Sequence, residues 1–247
     1  MSFSTAANVD GGVTIDLRSL NSINLSQGNS SVSVGPGATW DAVYSRLDPL
    51  GLSVVGGRAA GVGVGGLTLG GGISYFSPRY GWACDNAYNF EAVLANGSIV
   101  HANAQENPDL LLALRGGSNN FGIVTRVDLK TFPQGLMWGG NVYHPIARPT
   151  VDVQLREFVR INSATEYDVY ASLIASFAFS SVQGLVSVSQ MVYTKPAENP
   201  AIFQDLMSLP KLASTIRLTD MSGLAQETAA LQPPGLRYVP RAAATAV

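Results

Sequence analysis

The amino-acid sequence predicts an α+β fold in which antiparallel strands are combined with helices. One supporting observation is the pair Asn96-Gly97, a strong hairpin signal with strand-like segments on both sides. A second is two long alternating segments, residues 167–179 and 185–193, which we expect to pair through a turn near Gln183-Gly184. A third is Asn107-Pro108, which is typical of a helix start with Asn as the cap and Pro in the first turn.

The first half of the chain carries a mixture of strand and helix signals. Strands are predicted at residues 12–17, 31–34, 89–95, 98–102 and 123–132. Thr39 has the character of a helix N-cap, and Gly51 lies just past the predicted end of that helix. Apolar residues recur between them at helical spacing, at Trp40, Val43, Tyr44 and Leu47. The helix that starts at Asn107-Pro108 should stop at Gly116-Gly117.

The second half continues the pattern with fewer glycines. Helices are predicted at residues 151–162, 200–209 and 222–231, and a short strand near Ile216. With the two long strands, these elements indicate an antiparallel sheet with helices packed on it. Residues 237–247 are rich in Ala and follow no pattern, so we expect an irregular tail.

Composition excludes several classes of protein. The 247 residues are 46% hydrophobic and 13% charged, with a net charge of −2, so a basic nucleic-acid-binding surface is not expected. No apolar stretch is long enough to cross a membrane, and the N-terminus lacks the regions of a signal peptide. A single cysteine, Cys84, and two histidines, His101 and His144, give no metal-site pattern.

Glycine is distributed unevenly along the chain. Of its 26 residues, 23 lie within positions 1–140, and the others are Gly184, Gly223 and Gly235. Glycine allows backbone to turn sharply or to approach another group closely. The asymmetry therefore predicts two parts with different tasks, at residues 1–136 and 137–247.

The densest glycine segment spans residues 56–73. Gly61, Gly63 and Gly66 match the dinucleotide fingerprint, and Asp85 follows 19 residues after Gly66. A Rossmann loop must open a regular helix, and Gly70-Gly71-Gly72 should break one, since each glycine costs about 1 kcal/mol relative to alanine. We therefore expect tight turns whose bare amides face a ligand. A barrel corner or close strand packing is the alternative.

Four ordered motifs resemble those of the FAD-linked oxidases of the vanillyl-alcohol-oxidase and berberine-bridge-enzyme-like family. They are residues 61–74, Tyr80-Gly81-Trp82-Ala83-Cys84-Asp85-Asn86, residues 107–117 and residues 120–125. The resemblance implies a PCMH-type FAD-binding domain at residues 1–136 and a partial substrate domain with an antiparallel sheet at 137–247. It also implies FAD as the cofactor.

The same resemblance indicates which residues would contact FAD. The diphosphate and flavin would face Gly61, Val62, Gly63, Gly65, Gly66, Gly70, Gly71 and Gly72. Gly122 and Val124 would offer backbone contacts near the adenine. Asp85 and Asn86 are included as residues that hold the loop through side-chain hydrogen bonds to backbone.

The sequence also departs from the family pattern. No Arg-Ser-Gly-Gly-His loop, which would carry a flavin-linking histidine, is present, and Ala59 stands where bicovalent members have cysteine. We therefore expect any FAD to be bound non-covalently, and a chain shortened at both ends. No catalytic residue is assigned, because Tyr75 and Tyr80 are expected to pack under the loop and Arg79 to be a solvated or helix-end charge.

Two functional hypotheses follow from the resemblance. The first is an FAD-dependent oxidoreductase that oxidises a small organic substrate by hydride transfer to flavin, with oxygen as acceptor. The second is a non-catalytic remnant that binds FAD weakly or not at all. Neither involves nucleic acid or a membrane, and the sequence leaves the substrate, the oligomeric state and the cellular location open, although full-length relatives are often secreted.

Overall fold

The computed structural model describes residues 10–180 and 184–231, and within them it confirms the α+β fold. The helices are α1 Trp40–Leu47, α2 Val64–Leu69, α3 Ser77–Tyr80, α4 Pro108–Leu114, α5 Arg148–Asn162, α6 Gln204–Ser208 and α7 Met221–Ala230. The strands are β1 Ile23–Leu25, β2 Ser31–Val34, β3 Leu52–Ser53, β4 Ala87–Val93, β5 Ile99–Asn103, β6 Ile123–Lys130, β7 Phe132–Pro133, β8 Met137–Pro145, β9 Ala171–Ser180, β10 Gly184–Tyr193, β11 Ala213–Ser214 and β12 Arg217–Thr219. No helix in these ranges is long and apolar enough to span a membrane.

The first sheet has the strand order β1-β2-β6-β4-β5, with every pair antiparallel. Phe90 of β4 lies opposite Val127 of β6 on one side and Ala102 of β5 on the other, and all three are buried. Because successive strand residues point to opposite faces, this register places one apolar face against the core. Helices α1 and α4 contribute Trp40 and Leu114 to the same core.

The second sheet has the order β11-β8-β10-β9, and β12 also pairs with β8. On one face, the ring of Trp138 stacks on Phe203 with 6.0 Å between ring centres. On the same face, Gln154 of α5 donates a hydrogen bond to Ser189. On the other face, Asn141 of β8 donates to Glu227 of α7. Helix α5 therefore covers one face of the sheet, and α7 covers the other.

Helix α7 connects the second part of the chain to the first. Its N-cap Asp220 accepts a hydrogen bond from the Gly223 amide at 2.8 Å. The Asp48 carboxylate, at the end of α1, accepts from the Ser222 amide at 2.9 Å, and the Ala225 carbonyl accepts from the Ala60 amide. Met221 and Leu224 are buried in the core of the first part. The α7 helix therefore completes a core that begins near residue 32.

Most sequence-predicted elements are confirmed. The hairpin turns at Asn96-Gly97, with Gly97 at φ +82°, and the helices near residues 40, 108, 151, 204 and 222 are present. Thr39 occupies the N-cap of α1 but its side chain makes no capping bond. The short strand expected near Ile216 is divided into β11 and β12, on either side of that residue. Residues 181–183 and the tail predicted at 237–247 lie outside the described residues.

The strand predicted at residues 12–17 is wrong. This segment is irregular, and Val13 is 87% exposed and Ile15 58% exposed. Apolar alternation suits a strand only where a neighbouring strand pairs with it, and the described residues provide none here. The following residues instead run along the Gly35-Pro36-Gly37 turn, where the Leu20 carbonyl accepts from the Gly37 amide.

A strand was missed at β8, which includes Gly139 and Gly140. Both glycines lie in the middle of the second sheet and are needed for close approach. A Cβ on Gly139 would be 2.9 Å from the Met191 carbonyl oxygen, and one on Gly140 would be 2.7 Å from that of Thr215. The pair therefore marks crowding between strands.

Candidate functional site

The central part of the glycine segment forms a short helix. Residues 64–69 make up α2, so the prediction of turns alone is wrong for these positions. The helix ends at its C-cap Gly70, and Gly71 and Gly72 then adopt φ of +99° and +79°. The expectation that three consecutive glycines stop a helix is therefore confirmed, whereas the glycines before them do not prevent one. Backbone hydrogen bonds hold the start of α2, since the Val64 amide donates to Ala38 and the Trp40 amide donates to Val62.

One face of α2 exposes bare backbone. Gly63, Gly66 and Gly70 are spaced three and four residues apart, which places them on the same side of a helix, and all three are exposed. A Cβ built on Gly63 or Gly66 would meet nothing within 4 Å. The same is true of Gly61, whose amide donates to Asp41 at 2.7 Å. Protein packing therefore does not explain glycine at positions 63 and 66, whereas at Gly61 a φ of +74° itself favours glycine.

Two other glycines of the segment are explained by packing. A Cβ on Gly65 would be 2.8 Å from the Pro36 Cβ. One on Gly72 would be 2.4 Å from Leu67 Cδ2 and 2.9 Å from the Ala83 Cβ. The opposite side of α2 is buried through Val64, Thr68 and Leu69. The glycines thus fall into a packed group and an exposed group, and only the exposed group leaves room for a ligand.

The turn after α2 is attached to residues 82–84. The Gly71 carbonyl accepts from the Cys84 amide and the Gly72 carbonyl from the Ala83 amide, both at 2.9 Å. Trp82 lies beside this turn, with its Cε3 atom 3.6 Å from the position of a Cβ on Gly71. Cys84 is buried, and burial raises the pKa of its thiol. The residue is therefore a packed thiol.

Asp85 and Asn86 fix the backbone of this loop. The Asp85 carboxylate accepts a hydrogen bond from the Trp82 amide at 2.9 Å. The Asn86 side-chain amide donates to the carbonyls of Tyr80 and Trp82, at 2.9 and 2.8 Å. These contacts confirm that both side chains bond to backbone.

Comparison with known proteins shows which proteins this chain resembles. Residues 1–103 match the family described as FAD binding domain. The chain is 42% identical over 237 residues to the FAD-dependent monooxygenase tpcD of Cochliobolus heterostrophus, covering 94% of this chain and 46% of that protein. It is 40% identical to the FAD-dependent monooxygenase CTB5 of Cercospora beticola, covering 92% of this chain and 45% of that protein. The chain is therefore similar to FAD-dependent enzymes, and the FAD-binding match lies in its first part. It spans about half the length of the curated relatives it matches.

Solved structures share its fold. The 6-hydroxy-D-nicotine oxidase of Arthrobacter nicotinovorans superposes with a TM-score of 0.81 at 22% identity, covering 93% of this chain and 51% of that chain. The xylooligosaccharide oxidase of Myceliophthora thermophila C1, in complex with xylobiose, gives a TM-score of 0.71 at 27% identity and covers 87% of this chain and 46% of that chain. FAD is the cofactor that the family match assigns.

The residues present fit an FAD-binding site at the exposed glycines. Gly61, Gly63 and Gly66 leave open the volume that a Cβ would fill, and all three lie within the matched residues 1–103. A neutral, side-chain-free surface allows close approach by a flat ring or a diphosphate. The geometry therefore agrees with the family match at these positions.

Gly122 and Val124 lie in a separate part of this region. Val124 is buried in β6 opposite Ala92, and Gly122 has φ of +145° beside the Val93 carbonyl. The preceding loop reaches the end of α2, because the Ser118 amide donates to the Leu69 carbonyl at 3.0 Å. The structure thus connects this loop to the glycine helix, and the part played by Gly122 and Val124 in cofactor binding is a proposal.

The two tyrosines after the glycine segment are packed side chains. Tyr75 is buried, its hydroxyl pairs with the Thr228 hydroxyl at 3.2 Å, and burial raises its pKa. Tyr80 packs on Phe132 with 4.5 Å between ring centres. Tyr75 is therefore a packed side chain, as expected, whereas Tyr80 packs on Phe132 and stays 38% exposed. Because the pKa of Tyr75 is raised, less of its hydroxyl is deprotonated and available as a base at neutral pH.

Arg79 lies in the last turn of α3, in agreement with the expected helix-end charge, and it is partly buried. Its guanidinium lies within 6 Å of four aromatic ring centres, those of Phe76, Tyr80, Phe132 and Tyr170. It also donates a hydrogen bond to Gln134 at 3.1 Å. Arg79 is therefore part of the junction between the two parts of the chain.

The two histidines lie in different environments. His144 is buried in β8, its Nδ1 lies 2.8 Å from the Pro210 carbonyl oxygen, and burial lowers its pKa. His101 lies on the outer face of the first sheet, beside a polar cleft of ≈ 490 Å³. There Asn89 donates to Asp128 at 2.7 Å and to the His101 ring at 3.5 Å. Both positions agree with structural histidines.

Sequence analysis missed one feature of the site, the exposure of Trp82. The residue was noted only as part of a family motif, and nothing in its spacing indicates that the ring lies beside the Gly71 turn. The sequence offers one hint that Trp82 lies in a tight loop: Gly81 directly precedes it, and the short polar residue Asp85 follows three positions later.

Proposed function

We propose that this chain binds FAD and serves in an FAD-dependent oxidoreductase that acts on a small organic molecule. Residues 1–136 would form the FAD-binding part and residues 137–247 the substrate-facing part. The observation that carries the proposal is the exposed glycine face of α2, with Gly63 and Gly66 open to ligand, inside the segment that matches an FAD-binding domain.

The proposed contacts with FAD follow from these positions. The diphosphate and flavin would lie along the backbone of residues 61–66 and 70–72, and the adenine near Gly122 and Val124. Gly65 and Gly72 would act indirectly, because their packing against Pro36 and Leu67 shapes the backbone. When bound, FAD supplies a hydride acceptor, and oxygen is the proposed final electron acceptor.

A small organic substrate is supported by the relatives. Two of the curated relatives are named FAD-dependent monooxygenases, and one solved structure is an oxidase in complex with xylobiose. The class of substrate for this chain is therefore proposed only as a small molecule. Among the described residues, we assign no catalytic base.

The cofactor is proposed to bind non-covalently. Ala59, where bicovalent relatives have cysteine, offers no thiol, and Cys84 is buried with its amide bonded to Gly71. Acid precipitation of the FAD-loaded protein should release the flavin into the supernatant. Flavin absorbance retained in the precipitate would contradict this part of the proposal.

The Gly66→Ala variant tests the proposed site directly. Without ligand, it should raise the free energy of unfolding by up to about 1 kcal/mol, because alanine is favoured over glycine in a helix and its Cβ meets open space. With ligand, the new methyl group should obstruct FAD and weaken its binding. FAD affinity is measured from the quenching of flavin fluorescence during titration.

Gly28→Ala is the matched control. Gly28 also has open space at its Cβ position, but it lies in the loop between β1 and β2. FAD binding should be unchanged in this variant. If the unmodified chain binds no FAD, the proposed function is wrong for this chain and the non-catalytic alternative stands. If Gly66→Ala binds FAD as well as the unmodified chain, the proposed location of the site is wrong.

A further inference from the structure

We infer that the indole of Trp82 forms an aromatic surface on which a planar ring of FAD stacks. The inference rests on the proposed function and adds a residue to the glycine site. It commits to ring stacking, which either the isoalloxazine or the adenine of FAD could provide, and the experiments below distinguish the two.

Exposure separates Trp82 from the other tryptophans. Trp40 and Trp138 are buried, at 0% and 2% exposed, whereas Trp82 is 51% exposed. An indole is large and apolar, and its exposure in a folded protein carries a cost that a ligand can offset. Trp82 is therefore the tryptophan that a ligand could cover.

The Trp82 backbone is held rigidly. Its amide donates to the Asp85 carboxylate at 2.9 Å, and its carbonyl accepts from the Asn86 side chain at 2.8 Å. The carbonyl also accepts from the Asp85 amide at 3.1 Å. A residue whose backbone is already fixed loses little backbone freedom on binding, so more of the contact energy appears as affinity.

The ring lies against the same turn that ends the glycine helix. Its Cε3 atom is 3.6 Å from the position of a Gly71 Cβ, and the next residue, Ala83, bonds to the Gly72 carbonyl. Gly70, which precedes this turn, belongs to the exposed face with Gly66. The half-exposed ring therefore contacts the residue that directly follows Gly70 of the exposed face, which suits a ligand that is planar at one end and polar elsewhere.

Stacking on an aromatic side chain has a measurable size. Loss of one stacked aromatic weakens binding of a nucleobase by about tenfold or more. We expect Trp82→Ala to raise the Kd for FAD by about tenfold, and Trp82→Phe, which keeps an aromatic face, by less than about threefold. Leu112→Ala, at an exposed apolar position on α4, is the control and should leave the Kd unchanged.

The unmodified protein supplies a test that needs no variant. Because two of the three tryptophans are buried, iodide should quench mainly the Trp82 emission, and saturating FAD should protect it. FMN alone should protect if the isoalloxazine stacks on Trp82, and ADP alone should protect if the adenine does.

The outcomes separate the two proposals. If the unmodified chain does not bind FAD, the proposed function and this inference are both wrong. If it binds FAD while iodide quenching stays unchanged and Trp82→Ala retains the same Kd, FAD binding stands and the stacking role of Trp82 is overturned. Thermal unfolding of Trp82→Ala and Trp82→Phe, followed by circular dichroism, shows whether an affinity loss reflects misfolding.

Discussion

The guanidinium of Arg79 lies 5.0 Å from the ring centre of Tyr170. Arg79 follows the glycine segment, and Tyr170 immediately precedes β9 of the second sheet. On the same tyrosine ring, the Lys195 ammonium lies 3.5 Å from the ring centre. Two cations therefore contact one aromatic ring at the junction between the two parts of the chain.

Replacing Arg79 with alanine should destabilise the protein. We expect a loss of about 1–3 kcal/mol in the free energy of unfolding, because four ring contacts and the hydrogen bond to Gln134 disappear together. Urea unfolding measures the change. Arg148→Ala serves as the control, since the Arg148 side chain is 93% exposed and its ion pair should contribute little. Equal stability of the two variants would contradict a role for Arg79 in joining the parts.

The packed glycines should respond to substitution in the opposite way from Gly66. Gly65→Ala places a methyl group 2.8 Å from the Pro36 Cβ, and Gly72→Ala combines a close contact with Leu67 and a φ of +79°. Each should lower the free energy of unfolding by about 1–3 kcal/mol. Chemical unfolding of the ligand-free protein is the measurement. If Gly72→Ala stabilised the protein, Gly72 would not have the positive φ and the close contact with Leu67 on which this prediction rests.

Asp85→Ala should loosen the loop that carries Trp82. The Trp82 amide loses its acceptor, which should cost about 1 kcal/mol of stability and increase iodide quenching of the tryptophan emission. Asp85→Asn is the matched variant, because its amide oxygen can still accept the bond. Quenching that rises equally in both variants would mean that the charge, and not the hydrogen bond, holds the loop.

Protonation of the buried His144 ring should lower the stability of the protein in acid. Burial lowers the pKa of this histidine, so the folded protein favours the neutral ring more than the unfolded chain does. Its contribution to stability is therefore fully present above the unfolded pKa, about 6.5, and is lost as the pH falls through the folded-state pKa. Urea unfolding between pH 8 and pH 5 should show a smaller decrease for His144→Gln than for the unmodified protein. Parallel curves for the two proteins would rule out this contribution.

Local signals in the sequence predicted the elements whose cause is local. Asn96-Gly97 turns the β4–β5 hairpin, and Asn107-Pro108 opens α4, because turn geometry and a restricted φ act within a few residues. The strand prediction for residues 12–17 failed for the opposite reason, because a strand depends on a partner elsewhere in the chain.

The glycines show the same limit at the site. From sequence alone, Gly65 and Gly66 are equivalent neighbours, yet one faces Pro36 and the other faces open space. Which glycine packs and which stays exposed is set by how α2 lies on the Gly35-Pro36-Gly37 turn. Family motifs located the segment, and tertiary packing divided it into the two groups.

The bond between Asp48 and Ser222 joins residues 174 positions apart. Helix α7 also supplies Met221 and Leu224 to the first core, so that core remains incomplete during synthesis until α7 has left the ribosome. Closing so long a loop before its contacts form is a slow step in folding. The first core should therefore reach its full stability only after α7 has packed against it.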